Sequence, residues 1–147
     1  MGSSMIRLKK TEPFSRRLNE WIENRVKNID YHVVDRDVPP DEILKYKGKS
    51  MPISSLYCEN SIYGKPEINV MSRAWHDHIH LSNDFGFDLN GEVKTAFKQA
   101  SELPSDWHYE RNLILIEVIA QVQYALENDS FVEDQRGFTI KTFYGVE

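Results

Sequence analysis

From Pro13 to about Asn28, the apolar residues Phe14, Leu18, Trp21, Ile22 and Val26 recur at helical spacing. Arg16, Arg17, Glu20, Glu23 and Arg25 fill the opposite face, so the segment reads as an amphipathic helix with Pro13 in its first turn. Tyr31–Val34 reads as a short strand, Asp35–Pro40 as turn chemistry, and Pro40-Asp41-Glu42 as the opening of a short helix through Lys45 and Tyr46. The rest of the stretch up to residue 65 shows no sustained period. From Pro66 to about Asn83 the helical period returns, with Ile68, Met71, Trp75 and Ile79 as one stripe and Val70, Ala74 and Leu81 as a second. A helix apolar over so much of its surface is expected to be central. Asn83-Asp84-Phe85-Gly86 ends it.

Asp88 or Asn90 can cap the next helix, which runs to about Glu102 through Val93, Ala96, Phe97 and Ala100 before Pro104 closes it. Ser105-Asp106 can cap a further helix through Trp107, Leu113, Ile116, Ala120 and Tyr124 to about Asn128. Its apolar residues lie on nearly every side, which predicts burial. The tail Gly137–Tyr144 alternates and reads as a short strand or an extended strap. The expected fold is all-α, mainly helical: a bundle of about four main helices with irregular N-terminal connections and a possible short C-terminal strand.

The histidines are crowded, with His76, His78 and His80 inside Trp75–Leu81. A strand would place these three on one face. The helical stripes on either side, opened by Pro66, favour a helix. On a helix His76, Asp77 and His80 fall within an arc of about 100°, on a polar face shared with Asn69 and Arg73. A polar face on a buried helix needs partners. Glu92 supplies one: it follows the Phe85-Gly86-Phe87 turn, and a helical hairpin would bring it beside the histidines. Two imidazoles and two carboxylates form an N2O2 set suited to zinc, and also to iron or manganese. Fewer than six protein ligands would leave room for water or substrate.

Composition narrows the options. The chain has 147 residues, 18 Lys+Arg and 23 Asp+Glu, for a net charge of −5. That acidity argues against a protein held to nucleic acid mainly by phosphate contacts. One cysteine, Cys58, excludes an internal disulfide and a thiolate-rich zinc site. Met1-Gly2-Ser3-Ser4 reads as an expression leader, leaving residues 5–147 as a single helical metal-binding domain. Neither a secretory signal nor an apolar run long enough to span a bilayer is legible, so a soluble, cytoplasmic protein is expected. Gly48-Lys49-Ser50 resembles the end of a phosphate-binding loop, but Ile43 stands where its first glycine is required and no clear strand precedes it.

Glu117 and Gln121, one turn apart in the most apolar helix, are candidates to support a ligand histidine from behind, or a buried polar pair. Arg73, one turn before His76, is a candidate to pair with Asp77 or to bind a substrate carboxylate. His78 reads as structural or exposed, His32 and His108 carry no supporting pattern, and Cys58 reads as a buried thiol.

The pattern His76-Asp77-x-x-His80, eleven residues, then Glu92 is HDxxH-x11-E. It resembles the metal motif of the helical fourth protein of coenzyme Q biosynthesis, over seventeen residues, 76–92. The resemblance implies zinc or another divalent metal on His76, Asp77, His80 and Glu92. It also implies a mainly α-helical fold, association with lipid quinone intermediates, and removal of the carboxyl group at the quinone ring's C1. The HD phosphohydrolase class fits less well, because no second His-Asp pair is present. The expected function is that of a small metal-binding protein, a metalloenzyme using the cation as Lewis acid for hydrolysis or decarboxylation-type chemistry on a small-molecule or lipid-like substrate. The alternative is a non-catalytic binding or interaction protein, of a kind a virus or mobile element could encode. Such a protein would have a structural metal or a metal-free polar network.

Overall fold

The computed structural model describes residues 12–128 and 134–144, so the expected leader at residues 1–4 lies outside the described residues. The chain is mainly helical with one small sheet. Helix α1 spans Arg16–Arg25 and continues as a 3-10 turn over Val26–Asn28. It starts later than its apolar spacing suggests, because Ser15 is the cap and its side chain accepts from the Leu18 N–H. Strand β1, Tyr31–Val34, pairs in parallel with β2, Met51–Ser54. Parallel pairing requires a crossover, made here by α2, Pro40–Ile43, and a 3-10 turn at Leu44–Tyr46. Gly48 in the following loop has φ +78° and lies in an exposed turn ahead of β2. A phosphate loop would instead follow a strand and open a helix.

Helix α3 spans Pro66–Asn83, with Pro66 in its first turn and Glu67 beside its positive end. Asp84 adopts a left-handed conformation, φ 54°, and its N–H bonds the His80 carbonyl. The Phe85 N–H bonds the same carbonyl at 3.0 Å, turning the chain back. Helix α4, Leu89–Glu102, then runs beside α3. Asp88 caps it through the Gly91 N–H at 2.8 Å. The Ile68, Trp75 and Ile79 stripe is buried, and Trp75 packs on Trp21 of α1 with ring centroids 4.9 Å apart. Glu102 gathers α1, α3 and α4 by accepting from Arg25 at 2.8 Å and from the Trp75 indole at 2.9 Å. Glu110, in the helix after α4, does the same toward α1, accepting from Ser15 and from Arg17 Nε and Nη2.

Helix α5 spans His108–Leu115. Ser105 and Asp106 do not cap it, since Trp107 occupies that position without a side-chain cap bond. The helix continues through a π turn at Ile116–Ala120 into α6, Gln121–Asn128. Burial stops partway: Leu113 and Ile114 are buried, no residue of α6 is, and Leu126 is exposed. The expectation that this whole helix is buried is therefore corrected. A helix can be apolar all round and still run out past the edge of the core.

The tail is also corrected. Gln135–Tyr144 is helix α7, neither strand nor strap. Asp134 caps it by accepting from the Gly137 N–H at 3.0 Å. The buried positions Gln135, Arg136 and Thr139 follow helical spacing. Their bonds to distant chain, such as Gln135 Nε2 to the Tyr57 carbonyl at 3.1 Å and Arg136 to the Ser61 carbonyl at 3.0 Å, hold the helix in place. A short local alternation cannot compete with those contacts.

The α3–α4 hairpin depends on close approach at Gly91. A Cβ there would overlap the backbone of Gly86. Gly91→Ala is expected to destabilise the protein by roughly 2–4 kcal/mol, read as a lowered midpoint in denaturant. An unchanged midpoint would show that the hairpin can open without cost.

Candidate metal centre

His76 and His80 lie one turn apart on α3, and Glu92 lies in the first turn of α4. The hairpin brings the three together. The two Nε2 atoms are 3.1 Å apart, Glu92 Oε2 is 2.9 Å from His76 Nε2, and Glu92 Oε1 is 3.2 Å from His80 Nε2. Four donors around zinc at about 2.0–2.1 Å in tetrahedral array stand about 3.3 Å from one another. The spacing here is that of a ligand set. Among the described residues His76, His80 and Glu92 form a cluster able to hold a metal ion.

The outer nitrogens decide what the inner ones can do. His80 Nδ1 meets the Phe85 carbonyl at 3.0 Å, and a carbonyl only accepts, so Nδ1 carries the proton. Thr95 gives its hydroxyl proton to the Gly91 carbonyl at 2.8 Å, which leaves an oxygen lone pair facing His80 Nδ1 at 3.3 Å. His76 Nδ1 donates to Gln99 Oε1 at 2.7 Å. In their neutral forms both rings therefore direct bare Nε2 lone pairs at each other and at a carboxylate. Such an arrangement repels unless a cation sits in it. His80 is fully buried and stacks on Phe87, with centroids 3.9 Å apart and planes 13° apart, so it cannot turn aside.

Electrostatics agree with the geometry. Burial disfavours a charged His76, but the Glu92 hydrogen bond and charge outweigh it and raise its pKa to about 9. Burial would raise Glu92, yet the two histidines draw it down to about 2. In the metal-free protein a proton takes the place a cation would fill.

Asp77 does not join the three-residue cluster. It lines the adjacent cavity, half-buried, and burial lifts its carboxyl to about 6 against the pull of His76 and His80. Arg73 makes no ion pair with Asp77. It donates to the Ser54 carbonyl at 2.8 Å and the Tyr57 carbonyl at 3.2 Å, tying α3 to β2 and the loop beyond. Glu117 and Gln121 make no bond to either histidine. Glu117 is buried in the π turn and accepts from Thr139 Oγ1 at 3.1 Å. The bonds behind the histidines come from Gln99, Thr95 and the Phe85 carbonyl. Sequence reasoning missed these three, although Gln99 sits two helical turns after Glu92 on the same face of α4. His78 is near Ser82, His32 bonds Ser50 at 2.9 Å, and Cys58 is buried.

A cavity of about 330 Å³ opens beside the cluster. His76 and Glu92 form part of its wall, with Asp77, Glu117, Gln121 and Arg73 around it. Compared with family models, with curated proteins and with solved structures, the chain matches none. No helix among the described residues is long and apolar enough to cross a membrane.

Because His76 rises from 6.5 to about 9, its pairing contributes stability that is complete below pH 6.5 and lost as pH climbs through about 9. The melting temperature of chelated protein is expected to fall over that window. Zinc affinity should rise over the same window, about tenfold per pH unit, because each ion displaces one proton. Calorimetric titration across the window measures both. A flat affinity profile would contradict the proton-for-cation exchange.

Proposed function

We propose that this protein is a metal-binding protein with a mononuclear centre on His76, His80 and Glu92, working as a metalloenzyme. The carrying observation is the convergence of two Nε2 lone pairs and a carboxylate while both Nδ1 protons are committed outward. Two nitrogens and one carboxylate suit zinc, with iron or manganese as further candidates. Three protein ligands beside a cavity resemble a catalytic zinc site, which keeps one position open, more than a closed structural site. When bound, the cation supplies a Lewis acid able to polarise a carbonyl oxygen or to activate water, the requirement for hydrolysis or decarboxylation-type chemistry.

The protein's own groups do the rest. Gln99 and the Phe85 carbonyl hold the two tautomers, Phe87 holds the His80 ring plane, and the α3–α4 hairpin sets the Glu92 distance. Asp77 stands in the cavity beside the cluster, within reach of its field. As a fourth ligand it would complete the HDxxH-x11-E set, and as a free carboxyl it would serve a bound molecule. A four-helix bundle description of the domain, and the quinone-ring reaction implied by the motif, belong to this reading as proposals.

A second reading has its own support. The ligands come from two helices, so a cation would also staple α3 to α4. A purely structural metal predicts a sharp fall in melting temperature on chelation and a site that no small ligand can enter.

To test the proposal, untagged protein is loaded with zinc or iron, dialysed and analysed for metal. About one ion per chain is expected. His80→Ala and Glu92→Ala should each retain less than about a tenth of that at the same free-metal concentration. Wild-type protein that retains almost none after loading would overturn the metal centre.

A further inference from the structure

The lining of the cavity holds a second set of polar groups. Glu117 enters it from the π turn at Ile116–Ala120, with Gln121 following at the start of α6. π turns often mark functional positions, because the extra residue shifts side chains out of the ordinary helical register. Thr139 of α7 bonds Glu117 Oε2, and the Gln121 side chain lies against the same carboxyl. The Gln121 Nε2 atom beside it is buried without a hydrogen bond of good geometry. A buried amide N–H without a partner is costly, and such groups in a cavity wall are the ones a ligand satisfies.

The cavity wall also excludes charge at this end. Arg73 is already committed to two backbone carbonyls. The carboxyls of Asp77, Glu92 and Glu117 make the wall acidic. Burial lifts Glu117 to about 7, the mark of surroundings that resist a negative charge. The remaining lining is apolar, with Val38, Ile43, Leu56, Val118 and Val122.

We infer that Gln121 Nε2 and the Glu117 carboxyl together form a donor–acceptor subsite for an uncharged head group that both accepts and donates a hydrogen bond, carried on an apolar body lying in the same cavity. A primary amide fits with its carbonyl on Gln121 and its N–H on Glu117, and a hydroxyl can do both with one oxygen. Above pH 7, where Glu117 is ionised, a carboxylate would meet Gln121 favourably but would face Glu117 with no proton to give, so the titrations below are run there. This assignment names the substrate class of the proposed metal centre, and rests on that reading for its functional meaning.

The test uses metal-free full-length protein, so that cation binding does not enter. Benzamide, benzyl alcohol, benzoate and toluene are titrated by calorimetry and ligand-observed NMR. Benzamide or benzyl alcohol is expected to bind at about 1 mM or tighter, with benzoate and toluene at least about tenfold weaker. Which of the first two binds better assigns the head group within the class. Gln121→Leu and Gln121→Met should each weaken the better ligand about tenfold. Glu117→Gln, which keeps a neutral acceptor, should hold it within about threefold. Equal binding of all four compounds, binding of none, or full affinity in both Gln121 variants would overturn the subsite. The wild-type ranking stands whatever the variants do to folding. Failure here with normal zinc stoichiometry removes the subsite alone. A normal ranking in a protein that takes up no zinc removes the metal centre alone.

Discussion

Two imidazole nitrogens facing each other across 3.1 Å, with a carboxylate against both, form an arrangement that needs positive charge at its centre. The requirement follows from where the protons are. A carbonyl behind His80 and an amide oxygen behind His76 hold them on the outer nitrogens. The inner faces are then three electron-pair donors turned toward one another. In the metal-free molecule a proton shared with Glu92 fills this role, and the raised His76 and lowered Glu92 pKa values are two views of that sharing.

Much of the surrounding structure serves to keep this arrangement from relaxing. The Asp84 turn reverses the chain, Asp88 caps α4, and Gly91 permits a backbone approach that no side chain would allow. Phe87, in the same short connection, stacks on His80 and blocks its rotation. Beneath the hairpin, Trp75 and Glu102 lock α3 and α4 to α1. A displaced hairpin would leave buried imidazoles and a buried carboxylate unpaired, which costs more than the individual contacts gain. Packing and polar satisfaction therefore reinforce one another at this point in the fold.

The cavity turns a charged cluster into a place where chemistry can occur. Its lining carries both the electron-pair donors and the Glu117–Gln121 pair, in which Gln121 Nε2 has unused hydrogen-bonding capacity. The π turn that presents Glu117 lies where the long helix passes from core to surface, and α7 closes over it through Thr139. A polar residue in such a place is not a defect of the core. It faces a space that a ligand can fill.

Helix α3 was legible in the sequence, from Pro66 to about Asn83, because its two apolar stripes and its proline start are local signals. The same is true of the spacing that brings His76, His80 and Glu92 onto facing helices. Strand β2 was not legible: four residues containing Pro52 carry no period, and only pairing with β1 makes them a strand. The α7 helix was misread because a short alternation masked the Asp134 cap and the long-range bonds of Gln135 and Arg136. Arg73, Glu117 and Gln121 stand out in the sequence as polar positions needing an explanation, but Arg73 and Glu117 bond groups 16, 19 and 22 residues away, and Gln121 lies against Glu117 in the cavity lining. By itself the sequence determined the helical class and the residue types of the cluster, since periodicity and residue chemistry are local. Only the tertiary structure decided which nitrogen holds each proton, that Asp77 stands outside the three-residue cluster, and that a cavity lies beside it. Those outcomes depend on groups brought together by packing, and no local pattern encodes them.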